Sequence, residues 1–318
     1  MDPSNYNGPI TPDINPGNEL SASAKPKKSK FVLFLVIFSV LLFIGAGLFY
    51  YFYIYRTNMI AKQYLIREAG SFKNVTERMN DLNSEEMVYK SDPNKEKNWP
   101  IIIRNFGNEV ENIEKAQKSL EKAKKNQVKP NSKVNDIDTR LNDLYRELDE
   151  LLSEYEAYQT YKYEDSKIYY DYHDDQAKEN ILIALDANLP VEERVKAAKT
   201  YYEKSTGYTD ELAKMNFPEG LIEYHEKCVE YNAEFNKLFL EFIKALEAGE
   251  KGQDELDAID EFFQGDASWL DEIEELYYEG LHKKFEEARE KAYEIKTIMT
   301  ERKTDLGVNI LEIEIESW

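Results

Sequence analysis

Cysteine, histidine, glycine and proline are all scarce in this chain of 318 residues, and each scarcity removes a class of chemistry. Cys228 is the single thiol, so neither an intrachain disulfide framework nor a multi-cysteine zinc site can be built. Three histidines leave little for metal binding, and 13 glycines supply few loops for cradling phosphate. No P-loop, dinucleotide-binding, HExxH, GxSxG or CxxC pattern occurs. Paired carboxylates are so abundant that they point to no particular site. These absences predict a non-enzymatic protein with no cofactor. Positive charge is also short, with 41 Lys+Arg against 62 Asp+Glu, which excludes a nucleic-acid binder because phosphate affinity needs clustered cations.

What is present is unevenly distributed. Residues 1–30 carry net +1, residues 31–55 carry no charge, and residues 56–318 carry net −22. The uncharged run Phe31–Tyr55 has 25 residues, a helix of roughly 37 Å, enough to cross a hydrocarbon core of about 30 Å. A signal peptide's apolar region is usually only about 7–15 residues, so the sequence predicts a retained signal anchor rather than a cleaved leader. Tyr50, Tyr51, Tyr53 and Tyr55 gather at one end, where amphipathic rings favour the headgroup level. Lys25, Lys27, Lys28 and Lys30 flank the other end. Under the positive-inside rule they place the N-terminus in the cytoplasm and the acidic body outside the cell membrane, although Arg56, Lys62, Arg67 and Lys73 dilute that asymmetry. The tail at 1–30, with five of the ten prolines, has too little apolar content to offset its own entropy and is expected to be disordered.

Beyond residue 55 the apolar period is helical. Val134, Ile137, Leu141, Leu144, Leu148, Leu151, Tyr155 and Tyr158 alternate spacings of three and four. Leu221, Tyr224, Cys228, Tyr231, Phe235, Leu238, Phe242 and Ala245 do the same. Such stripes need partner helices to cover them. Asn98-Trp99-Pro100, Asn188-Leu189-Pro190 and Asn216-Phe217-Pro218 repeat one phrase, in which Pro opens a helix and the preceding apolar residue folds back on it. Ser268 to Asp271 reads as a capping box, and Gly249 and Gly252 end another helix. Helices are expected over 57–90, 100–128, 132–188, 190–215, 218–248, 254–264 and 267–305. The fold class is therefore all-α: a transmembrane helix, then an elongated antiparallel bundle of coiled-coil-like hairpins over 56–305, with possible sub-bundles at 57–188 and 190–305. Leu311 to Glu316 alternates with period two and reads either as a frayed helical tail or as a short strand.

Four features compete for a functional role. His225 and Cys228 share a helix face, but Cys228 falls on the apolar stripe, and two ligands fall short of the three or four that zinc requires; packing is the expected role. His173-Asp174-Asp175 lacks a calcium-loop pattern and reads as a helix irregularity. Asn74-Val-Thr76 is a glycosylation sequon. Eleven of 23 tyrosines lie between Tyr145 and Tyr208, six of them in Tyr158–Tyr172. Tyr155 and Tyr158 sit on the stripe, whereas Tyr161, Tyr163, Tyr170 and Tyr172 point several ways round a helix. One partner helix cannot cover them all, so these four form a candidate surface for a protein, glycan or peptide partner. The alternative is a wide mixed interface inside the bundle. The functional expectation is an extracytoplasmic scaffold, spacer or partner-binding module, with self-association through its helices possible. The alternatives are a sensory ectodomain coupled to a partner across the membrane, and a spectrin-like bundle tethered on the cytoplasmic side.

Overall fold

A computed structural model describes residues 30–82, 99–264 and 268–308. The N-terminal tail with Lys25, Lys27 and Lys28, the side chains of Lys30 and of the Ser268–Asp271 capping box, and the period-two run at 311–316 lie outside the described residues. The chain divides into two units, Met1–Arg56 and Thr57–Trp318.

In the first unit, α1 (Lys30–Phe49) is followed by a π-helical stretch, Tyr50–Tyr55. Val32 to Tyr55 are all exposed, and this is the one helix among the described residues long and apolar enough to cross a membrane. The four belt tyrosines occupy the widened π-helical turns. Three of their rings stack at i,i+4, Tyr53 on Phe49 at 4.8 Å and Tyr51 on Tyr55 at 5.9 Å. Periodicity does not distinguish α from π over six residues, so this widening was not legible in advance.

The second unit is all-α among its described residues, a helical bundle: α2 (Arg56–Asn80), α3 (Trp99–Asn126), α4 (Asn135–Tyr172), α5 (Asp175–Leu185), α6 (Val191–Leu212), a 3-10 turn at Glu219–Leu221, α7 (Ile222–Glu247), α8 (Gln253–Gln264) and α9 (Ser268–Leu306). The helix expected over 132–188 is two. It breaks at His173, where the Asp174 side chain accepts the Ala177 N–H at 2.8 Å and caps α5. Gly249 ends α7 at φ +82°, with Glu250 N–H bonded to Ala245 O and Gly249 N–H to Leu246 O. That pairing is a Schellman motif.

Two apolar cores result. The first gathers α2 (Tyr64, Phe72, Met79), α3 (Ile113, Leu120), the whole stripe of α4, the end of α6 and α9 (Leu281, Ile295, Met299). The second gathers α5 (Ala177, Ala184), the start of α6 (Ala198, Tyr201), α7 (Phe235, Phe239, Phe242, Leu246) and Ile259 of α8. Along α6 and α7 a buried polar trio lies between residues of the two cores. Ser205 Oγ donates to Asn236 Oδ1 at 2.6 Å, and Asn236 Nδ2 donates to Thr209 Oγ1 at 2.8 Å.

Helices α4 and α9 run antiparallel and are indexed by charge. Asp136 pairs with Arg302 at 2.9 Å, Arg140 with Glu294 at 3.1 Å, Glu147 with Lys291 at 2.6 Å, and Glu154 with Lys284. Arg140, Glu147 and Glu154 are seven residues apart, as are Lys284 and Lys291, so these pairs flank the apolar seam where heptad charges would. Each exposed pair contributes about 0.2–1 kcal/mol, and the ladder matters more for register than for stability.

Candidate interaction surfaces and the tyrosine core

The tyrosine-rich half of α4 is touched on several sides, by α3, α6 and α9, with α7 reaching it through aromatic side chains. That is why its aromatics face in several directions and are still largely covered. Tyr161 is 2 % exposed and lies edge-on to Tyr224 and His225 of α7, at 6.4 and 6.0 Å; it belongs to the core and lends no surface. Tyr163 lies over Gly107 of α3, where a methyl group would meet its ring at 3.3 Å. Tyr172 lies over Gly207 of α6, where a methyl would meet it at 2.5 Å. Both are half-buried, and of the four candidates Tyr170 alone is exposed.

Polar groups hold this layer together. Tyr158 donates to Glu274 Oε1 at 2.9 Å, and Lys162 pairs with the same oxygen at 2.8 Å. Burial pushes the Glu274 carboxyl pKa up, but Lys162 and the tyrosine donors outweigh it, so the net pKa is lowered. Tyr208 donates to Asp165 Oδ1 at 3.1 Å. Here burial wins over Lys162 and that hydrogen bond, and the pKa is raised. Burial also pushes the Cys228 thiol up to about 12, which keeps it protonated and unreactive. His225 is buried, stacked on Phe217 at 4.1 Å, and burial lowers its pKa. Phe217 therefore folds back as its Asn-Phe-Pro phrase implies. No group of three His, Cys, Asp or Glu side chains among the described residues is placed to hold a metal.

Sequence reasoning missed three buried charges, Glu68, Glu109 and Arg194, of which Glu109 accepts the Tyr155 hydroxyl at 3.1 Å. Glu68 of α2 is 0 % exposed. Its Oε1 accepts the Val128 N–H at 3.1 Å, while Oε2 has no partner. Burial raises its pKa against the opposing Val128 hydrogen bond. Arg194 of α6 is 2 % exposed. It donates from Nε to Ala184 O at 3.0 Å and from both Nη atoms to Lys251 O at 3.4 Å, with its guanidinium 5.8 Å from the centre of the Phe242 ring. At the start of α6 Val191 is exposed and Arg194 takes the inward position. The sequon Asn74 is exposed, but Thr76 is buried and donates to Lys73 O at 3.0 Å.

Two surfaces stand out by charge. The end of α3 and the α3–α4 connection carry Lys122, Lys129 and Lys133, none with an ion-pair partner among the described residues, whereas Lys124 and Lys125 pair with Asp149 and Glu121. At the α7–α8 corner Phe263 is 56 % exposed. It adjoins Phe235, and Phe262 adjoins Tyr231, with Glu230, Glu234, Asp257, Asp260 and Glu261 exposed on the same two helices. A cleft lined by Met79, Leu82, Tyr155, Tyr278, Leu281, His282 and Phe285 encloses about 10 Å³, the room of a single water. Compared with known proteins, the chain matches no family profile, no curated protein and no solved structure.

Proposed function

We propose that this chain is a single-pass, membrane-tethered helical module without enzymatic activity, its acidic body extracytoplasmic, serving as a scaffold or partner-binding element. The observation that carries the reading is the wholly exposed apolar stretch from Val32 to Tyr55, whose surface is costly in water and at home in hydrocarbon. The body supports the same reading. Its aromatic layer is filled by side chains from several helices, and its polar groups bind each other, so its chemistry is spent on holding helices in place. The aromatic ridge at the α7–α8 corner, fringed by acids, is the face on which we place a cationic partner, through ring and carboxylate contacts. The four lysines of the tail set the orientation.

Protease treatment of intact cells tests the topology: the body is expected to be digested from outside, and digestion only after lysis overturns the extracytoplasmic assignment. A second reading, a cytoplasmic body on the same tether, draws on Lys129 and Lys133 of the α3–α4 connection, which have no ion-pair partner among the described residues, because the inner leaflet is anionic.

A further inference from the structure

We infer that the α3–α4 connection is a lipid-reading tip that docks on anionic headgroups. This rests on α1 being the membrane anchor. Asn131, at the centre of the connection, donates from Nδ2 to Thr57 O at 2.7 Å, and Glu68 fastens Val128 to the same helix. Thr57 follows Tyr55 by two residues, so at any angle between the two units it lies within about 7 Å of the end of the apolar run. Lys129 and Lys133 each lie two residues from Asn131, again within about 7 Å of it. The tip is thereby tied, by bonds within the body, to the stretch of α2 that directly follows the apolar run.

Charge supplies the ligand class. Lys122, Lys129 and Lys133 have no anionic partner among the described residues, and Lys62 of α2 adds a fourth unpaired cation. Two of the nearby acids are paired with cations, Glu121 with Lys125 and Asp136 with Arg302, whereas Asp138 accepts the Tyr64 hydroxyl at 2.9 Å and keeps its charge. Favourable interaction with the helix C-terminus explains Lys124 and Lys125 in the last turn of α3, but not Lys129 and Lys133, which lie beyond it. Lysines within a Debye length of about 8 Å of an anionic leaflet each strengthen attachment about fivefold. A body of net −22 is repelled by that leaflet, and a cationic tip tied to the start of α2 would offset the repulsion.

The test uses the full chain reconstituted in vesicles of phosphatidylcholine alone or with about 30 % phosphatidylglycerol, read by amide hydrogen exchange. Amides of residues 127–133 are expected to exchange about tenfold more slowly in the anionic vesicles. That difference should vanish in about 1 M salt, where the Debye length is about 3 Å, and in the K122Q/K129Q/K133Q variant. Amides of α8 should exchange alike in both vesicles. Equal exchange of 127–133 while the chain floats with both vesicles overturns the lipid-reading role and leaves the anchor standing. Failure to float with either overturns the anchor, and this inference with it. Exchange in α3 and α4 monitors the folding of the variant.

Discussion

Alanine at Gly252 attacks the second core at a point where backbone and packing are both committed. Gly252 sits at φ +68° between α7 and α8, and a methyl added there would lie 2.7 Å from Phe242 Cε2 and 2.8 Å from Cδ2. Phe242 is fully buried beneath the Arg194 guanidinium, so its ring has no free direction in which to retreat. The left-handed backbone costs an alanine about 1–2 kcal/mol, partly offset by the lower entropy of its unfolded chain, and overpacking adds about 1–3 kcal/mol. We expect Gly252→Ala to destabilise the body by about 2–4 kcal/mol, and a body of this size to melt about 6–12 °C lower. Gly249→Ala is the internal control. Its φ is +82°, but nothing lies within 4 Å of the added methyl, so only the backbone cost of about 1 kcal/mol applies. Thermal melts of the two variants, followed by helical circular dichroism, separate the packing cost from the backbone cost. Equal melting temperatures for the two would refute the packing of Phe242 against the α7–α8 turn.

Two further changes probe a buried acid and a half-buried one, with opposite signs. Glu68 has a raised pKa, so its favourable contribution is complete below the ordinary carboxyl range and is lost as pH rises through the folded value. Glu68→Gln keeps an acceptor for Val128 and removes the unpartnered charge, and should gain about 1–2 kcal/mol at pH ~8 in urea titrations while changing little at pH ~4. A loss of stability at the higher pH would show that Glu68 is ionised and satisfied. Glu274 has a lowered pKa, so its contribution is complete above the ordinary carboxyl range and is lost as pH falls through the folded value. Glu274→Gln should cost about 1–3 kcal/mol at neutral pH and flatten the acid limb of the stability profile; an unchanged acid limb would remove Glu274 from the network.

The helices were legible because their apolar stripes are long and regular. From Val134 to Tyr158 every position of the repeat is buried. The four-tyrosine surface was harder to read, because the spacing of Tyr161, Tyr163, Tyr170 and Tyr172 gives their directions round α4 but not the number of helices surrounding it. The premise of one covering partner underlay the surface assignment, and α4 has more than one. The heptad charges of α4 and α9 were present in the sequence as Arg140, Glu147 and Glu154, but a charge run reads as solvated until its partner helix is known. Arg194 was hidden for a related reason: an arginine on a helix is assigned to water unless something, here the Ala184 and Lys251 carbonyls, binds its donors inside. The α4–α5 break did have a local signal in Asp174, a capping residue three positions before the amide it accepts.

The Ser205–Asn236–Thr209 trio gives the body a fault line. Apolar contacts slide and re-form at neighbouring positions, but this trio has one set of partners. A helix that slipped by one residue would strand buried donors and acceptors at about 1–3 kcal/mol each. Opening of the second core from its α5 and α8 ends therefore has a natural stopping point at the trio, on both α6 and α7. The body is therefore expected to behave as two foldons sharing two helices, with the acidic corner fraying on heating while the tyrosine layer and the helices fastened to α2 stay closed.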